Sequence, residues 1–218
     1  MHVSPSLTLE SQYFTSRGYA YCHVNHAGST GYGRAYRDEL ESYWGVKDVE
    51  DTISCIEYLD KAGLADGKKV GIRGGSAGGY TVLQGMIMYP DVFAAGCSLY
   101  GVSDLKRLGK DSHKFESHYL WALISPANAS EEQKEKVFYE RSPVFHADKI
   151  RKPLTLLQGA DDMVVPVAQA LDMQEAMKSN GTDVDLIIFD GEAHGWKMKD
   201  TIKKSIEAEE ELWRRTLL

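Results

Sequence analysis

Gly74-Gly75-Ser76-Ala77-Gly78-Gly79 reads G-x-S-x-G, with an apolar strand-like run before it and a helix-like run after it. A serine on a sharp strand-to-helix turn sits in strained backbone geometry, and small neighbours avoid clashes at the bend. Its hydroxyl then stands clear of the sheet. The N–H of Ala77, at the start of the helix, aims where an oxyanion would form. Such a serine needs a base, and the base needs an orienting acid. Gly159-Ala160-Asp161-Asp162-Met163-Val164-Val165-Pro166 follows a second strand-like run and offers two candidate acids, Asp161 and Asp162. Asp190-Gly191-Glu192-Ala193-His194-Gly195 follows a third, and His194 is the only histidine downstream of those aspartates. Ser, Asp and His at successive strand ends, in that chain order, predict a nucleophile, an orienting acid and a general base.

The surrounding elements must put those strand ends side by side. Tyr19 to Asn25, Lys69 to Gly74, Phe93 to Tyr100, Leu154 to Gln158 and Val184 to Phe189 read as short strands. Val46, Val49, Ile53, Ile56 and Leu59 recur at helical spacing, and Tyr80 to Met88, Ala168 to Met177 and Thr201 to Leu217 also read as helices. Strands alternating with helices predict an α/β fold with a mostly parallel sheet flanked by helices. In such a sheet, chemistry belongs at the carboxyl ends of the strands. The polar stretch from Lys106 to Arg141 breaks the rhythm and reads as a lid-like excursion over one end. Ile202, Ile206 and Trp213 are expected to form the docking face of the closing helix.

Composition narrows the function. The 218 residues carry 25 Lys plus Arg against 32 Asp plus Glu, a net charge of −7 with no basic stripe, which argues against nucleic-acid binding. No apolar stretch is long enough to span a membrane, and Met1 to Pro5 has no signal-peptide character. Cys22, Cys55 and Cys97 are too few and too scattered for a disulfide framework, so they read as small buried residues in a reducing compartment. No residue cluster suggests a metal or cofactor. The Gly28 to Gly33 loop lacks the spacing of a phosphate cradle. His146 reads as a packed residue leading into the next strand. A single-domain cytoplasmic protein is expected.

The sequence resembles the catalytic domain of the prolyl oligopeptidase family of serine peptidases, especially its dipeptidyl-peptidase and acylaminoacyl-peptidase branch. The landmarks are Gln12 to Tyr19, Asn25 to Gly33, Trp44-Gly45 with Asp48 to Asp51, Arg73 to Tyr80, Ser142-Pro143, the Asp162 loop and Glu192 to Gly195. The resemblance implies an α/β-hydrolase fold lacking its first strands and the N-terminal β-propeller. A D-x-x-V-P pattern selects Asp162 over Asp161 as the acid. An apolar substrate pocket is implied at Val102, Leu105, Leu108 and Val165, suited to proline, alanine or another uncharged side chain.

Two departures stand out. Ala27 occupies a position where the family usually has arginine. The chain also begins where the loop bearing a second oxyanion donor would end, and loss of one donor typically costs about 10²–10³ in rate. The absent third strand would lie between Tyr19–Asn25 and Lys69–Gly74. Unpaired buried groups there would each cost about 1–3 kcal/mol. The chain is therefore expected to rearrange locally, to borrow a strand or missing N-terminal segment (including from a second copy), or to be a fragment. The implied function is peptide-bond hydrolysis in short peptides through an acyl-enzyme. A small-ester carboxylesterase and a catalytically silent truncated member are the alternatives.

Overall fold

Short apolar runs centred on Ile72, Cys97, Leu156 and Leu186 form a parallel sheet in the computed structural model, which describes residues 6–111, 120–126 and 128–218. The strands are β1 (Gly71–Gly75), β2 (Ala95–Leu99), β3 (Leu154–Gly159) and β4 (Val184–Phe189), and they lie in that order across the sheet. Register runs Gly75 beside Leu99, Leu99 beside Leu157, and Gly159 beside Phe189, so the carboxyl ends of all four strands stay level. β2 and β3 are buried along their whole length, as expected for strands covered on both faces.

Side chains alternate between the two faces. Ile72, Leu154, Leu156 and Val184 join a core completed by α3 (Lys47–Lys61), α4 (Ala77–Met88) and α7 (Val167–Ser179). Ala95, Cys97, Leu99 and Leu157 point the other way, onto Phe14 of α1 (Leu9–Thr15) and onto Leu212 and Trp213 of α8 (Lys199–Leu217). The remaining elements are α2 (Arg34–Asp38), α5 (Leu105–Asp111), α6 (Glu131–Arg141) and a 3₁₀ segment, Pro143–Lys149, in which His146 is half-buried against the Tyr139 carbonyl. The expected excursion at 106–141 includes α5 and α6, while residues 112–119 and 127 within it lie outside the described residues.

Two expectations are corrected. Tyr19–Asn25 forms no strand, and among the described residues nothing pairs with the outer edge of β1. A β-rich run becomes a strand only beside a partner, and here side chains hold the segment instead. Tyr19 and Tyr21 pack into the α8-side core, the Tyr21 hydroxyl accepts from Arg73 Nη1 at 2.8 Å, and Ala27 N–H donates to Asp51 Oδ2 at 2.6 Å. The second correction concerns one residue of α8. Trp213 and Ile206 pack into the core as expected, but Ile202 is 42% exposed, and the buried stripe also takes in Thr201, Ser205, Glu209 and Leu212.

The buried Glu209 is held in an ion pair. Arg73 Nε lies 2.7 Å from a Glu209 carboxylate that is 2% exposed, and Arg73 also pairs with Glu10. Burial disfavours the Arg73 cation, but Glu209, the Tyr21 hydroxyl and Glu10 more than offset this and raise its pKa above the usual arginine value. The guanidinium thus ties α1, α8 and the 19–25 segment to β1, three residues ahead of Ser76.

Candidate active site

Ser76 occupies the turn between β1 and α4 with φ 56° and ψ −118°, a conformation that costs a non-glycine residue about 1–3 kcal/mol. The turn is held from both sides: Ser76 N–H donates to the Leu99 carbonyl at 2.9 Å, and Tyr80 N–H to the Ser76 carbonyl at 3.1 Å. Close approach behind the serine explains the small residues. A Cβ on Gly79 would lie 2.6 Å from Gly101 Cα and 2.8 Å from Ser98 Oγ. Gly79→Ala is therefore expected to lower stability by about 1–3 kcal/mol, because backbone on the facing loop has to move; denaturant unfolding checks this.

The far side of α4 is anchored by Asp48, which is fully buried and accepts from Gly45 N–H at 2.7 Å and from the Thr81 hydroxyl at 2.6 Å. Burial pushes its carboxyl pKa up, with the Thr81 hydroxyl, nearby His26 and the Gly45 N–H opposing. Trp44 packs at a tilt against Tyr80 of α4, with ring centroids 4.4 Å apart, beside this anchor. The helix that follows Ser76 is thereby fixed to α3 as well as to the sheet.

Three strand ends converge. His194 Nε2 is 2.7 Å from Ser76 Oγ, and His194 Nδ1 is 2.8 Å from Asp162 Oδ2. Asp162 has no exposed side-chain surface, whereas the His194 side chain is 23% exposed and so open to a reactant. The other carboxylate oxygen of Asp162 accepts from Val164 N–H and Val165 N–H, both at 2.8 Å. Burial alone would raise the Asp162 pKa. The His194 hydrogen bond and these two N–H donors outweigh it, so the carboxyl is held below the usual carboxylate range. Asp161 is exposed, and the bond to His194 is made by Asp162. Ala77 is the first residue of α4, so its N–H has no acceptor within the helix.

Supporting residues were less visible in the sequence. Gln158, closing an otherwise apolar strand, donates through Nε2 to Asp162 Oδ2 at 3.3 Å and to the Val165 carbonyl at 3.0 Å. A polar residue ending an apolar run is the signal that marks it. Tyr100, held at φ 39°, packs edge-on against the His194 ring with centroids 4.8 Å apart, and Trp196 backs it at 5.0 Å. No sequence spacing announces that contact.

Glu192 organises the histidine loop. Its carboxylate accepts from Lys197 N–H at 2.9 Å and Met198 N–H at 2.8 Å, and its carbonyl accepts from Asp161 N–H at 2.9 Å. Desolvation pushes its pKa up, but the Met198 and Lys197 N–H groups prevail and the value is lowered. A lowered folded-state pKa contributes stability that is present above the ordinary glutamate value of about 4.3 and is lost as pH falls through the lower one. Glu192→Gln is expected to melt a few degrees below the parent at neutral pH, with the gap closing on acidification. Melting curves across that range provide the check.

The four pocket residues lie together but not in an open cleft. Val102, Leu105 and Val165 are 3%, 0% and 1% exposed, and they pack with Leu40, Trp44, Tyr80, Leu120, Ile124 and Phe138 while Leu108 lies partly buried against them. Met163 and Val164, on the acid loop, are the exposed apolar residues beside the triad. Cys97 is buried, Cys55 half-buried and Cys22 exposed, so the expectation of three buried cysteines holds only for Cys97.

The prolyl oligopeptidase family model matches residues 5–217. The chain belongs to the prolyl oligopeptidase family. Among relatives, dipeptidyl aminopeptidase BIII of Pseudoxanthomonas mexicana is 32% identical over 194 residues, covering 88% of this chain and 28% of that protein. Dipeptidyl peptidase family member 6 of Caenorhabditis elegans is 31% identical, covering 84% of this chain and 25% of its own. Among solved structures, a puromycin-hydrolyzing peptidase of Mycobacterium tuberculosis superposes with TM-score 0.93 at 45% identity, over 99% of this chain and 32% of that one. A puromycin hydrolase does so with TM-score 0.92 at 41% identity, over 98% and 32%. The chain thus spans about a quarter to a third of the length of these family members, and its four parallel strands with flanking helices are an α/β-hydrolase sheet.

Proposed function

We propose that this chain is a serine peptidase unit that cleaves short peptides through an acyl-enzyme, with Ser76, His194 and Asp162 as its triad. The observation that carries the proposal is the unbroken hydrogen-bond line from Asp162 through His194 to Ser76, at 2.8 and 2.7 Å. His194 Nδ1–H donates to Asp162, which leaves Nε2 as the base. Nε2 takes the Ser76 proton as Oγ attacks the carbonyl, and the Ala77 N–H stabilises the oxyanion. His194 then protonates the leaving amine, and water repeats the sequence on the ester. Asp162 stays ionised and stabilises the imidazolium, which fits its lowered pKa.

The relatives' names point to dipeptidyl, acylamino-acid and puromycin substrates. We accordingly assign uncharged side chains to the site next to the cleaved bond, with Val102, Leu105, Leu108 and Val165 as its apolar wall and α5 and α6 beside it. We place the protein in the cytoplasm. That assignment is supported by the low cysteine count of three, and none of the described helices is long and apolar enough to cross a membrane.

An esterase would use the same triad, since the leaving group is not chosen by it. Aminoacyl and dipeptidyl arylamides, puromycin and matched acyl esters, assayed side by side, separate the two. Turnover of the amides, greatest with apolar residues next to the bond, is expected. Turnover of esters alone would refute the peptidase reading.

A further inference from the structure

Among the described residues no strand pairs with the 19–27 segment, which meets α3 through two ties. One is the Ala27 N–H to Asp51 carboxylate bond, at 2.6 Å. The other sits one helical turn further along α3, where Cys22 Sγ and Cys55 Sγ are 3.6 Å apart. Cys22 is exposed and Cys55 half-buried, so a small reagent reaches the first thiol directly and the second is already in contact with it. The third thiol, Cys97, is enclosed in the sheet core and has no part in this pair.

We infer that Cys22 and Cys55 form a redox-reactive dithiol site that takes low-molecular-weight disulfides such as oxidised glutathione and closes into an intramolecular disulfide. The Cys22 thiolate attacks one sulfur of the reagent, whose S–S bond breaks and releases one glutathione thiol. The Cys55 thiolate then attacks the Cys22 sulfur and releases the second. Two electrons and two protons pass from the cysteines to two glutathiones, and excess glutathione reverses the exchange. Although the residue is exposed, partial desolvation of its thiol, with the contact from Cys55, pushes the Cys22 pKa up to about 11. Little thiolate is present at neutral pH, so the exchange is slow there, unlike that of a catalytic thiol.

The cross-link would join residues 33 apart and fasten a segment that has no ladder to hold it. Loop closure of that length is expected to raise the melting temperature on the order of 10 °C. The site is independent of the reaction proposed above, because neither thiol touches the triad.

The test treats the folded chain with oxidised glutathione and reads intact mass, peptide maps and melting. Parent protein is expected to lose two hydrogens, to yield a Cys22–Cys55 peptide with Cys97 still free, and to melt higher until reduced. Cys22→Ser and Cys55→Ser are expected to melt like the reduced parent and to stop at unreacted or singly glutathionylated protein. A folded parent that stops at a glutathione adduct, or stays unreacted while its thiols react after unfolding, would overturn the inference. So would a cross-linked form that melts lower than the reduced one.

Discussion

Ser76→Ala is expected to lower kcat for an aminoacyl arylamide by about 10⁶-fold while leaving the melting temperature within a degree or two. The size follows from the geometry. Ser76 Oγ is the atom that His194 Nε2 faces at 2.7 Å, and alanine leaves the imidazole and its acid in place with nothing to activate. What survives is the residual effect of the Ala77 N–H and of substrate binding. Stability should change little, because the strain at φ 56° resides in the backbone and not in the hydroxyl. A loss of less than about tenfold would mean that another group carries the reaction.

Asp162→Asn is expected to cost about 10⁴-fold in kcat, and the mechanism of the loss is legible in the hydrogen bonds. Val164 N–H and Val165 N–H fix an acceptor oxygen at the Oδ1 position. The amide of asparagine must therefore turn its NH₂ toward His194 and Gln158 Nε2, both of which now present donors. The imidazole is driven to the tautomer protonated on Nε2, which cannot accept the Ser76 proton. Asp161→Asn alters an exposed side chain and is expected to be nearly silent. Kinetics of the two variants decide the assignment, and equal losses would refute it.

The sequence carried the site further than it carried the sheet. Ser76, Asp162 and His194 each sit in a local motif at a strand end, and local motifs survive without knowledge of the tertiary structure. The four apolar runs that became strands were legible for the same reason. Tyr19–Asn25 was not, because its β-branched and aromatic content is satisfied by packing against Phe14 and by the Arg73 bond once no strand lies beside it. On α8, Ile206 and Trp213 face the core as expected, but Ile202 is exposed and Glu209 is buried in its place. Hydrophobic periodicity treats a glutamate as a solvent-facing residue, and only the Arg73 partner, far away in sequence, makes its burial tolerable. Gln158 and Tyr100 escaped for a related reason: their roles lie in contacts with Asp162 and His194 across the sheet, which no spacing encodes.

The central claim is that Ser76 is an activated nucleophile in this chain. Fluorophosphonate labelling of the folded protein, read by intact mass beside Ser76→Ala, tests it directly. One phosphonyl adduct on the parent, mapped to Ser76 and missing from the alanine variant, is the predicted result. A folded parent that takes up no label, or an alanine variant labelled to the same extent, would contradict the account.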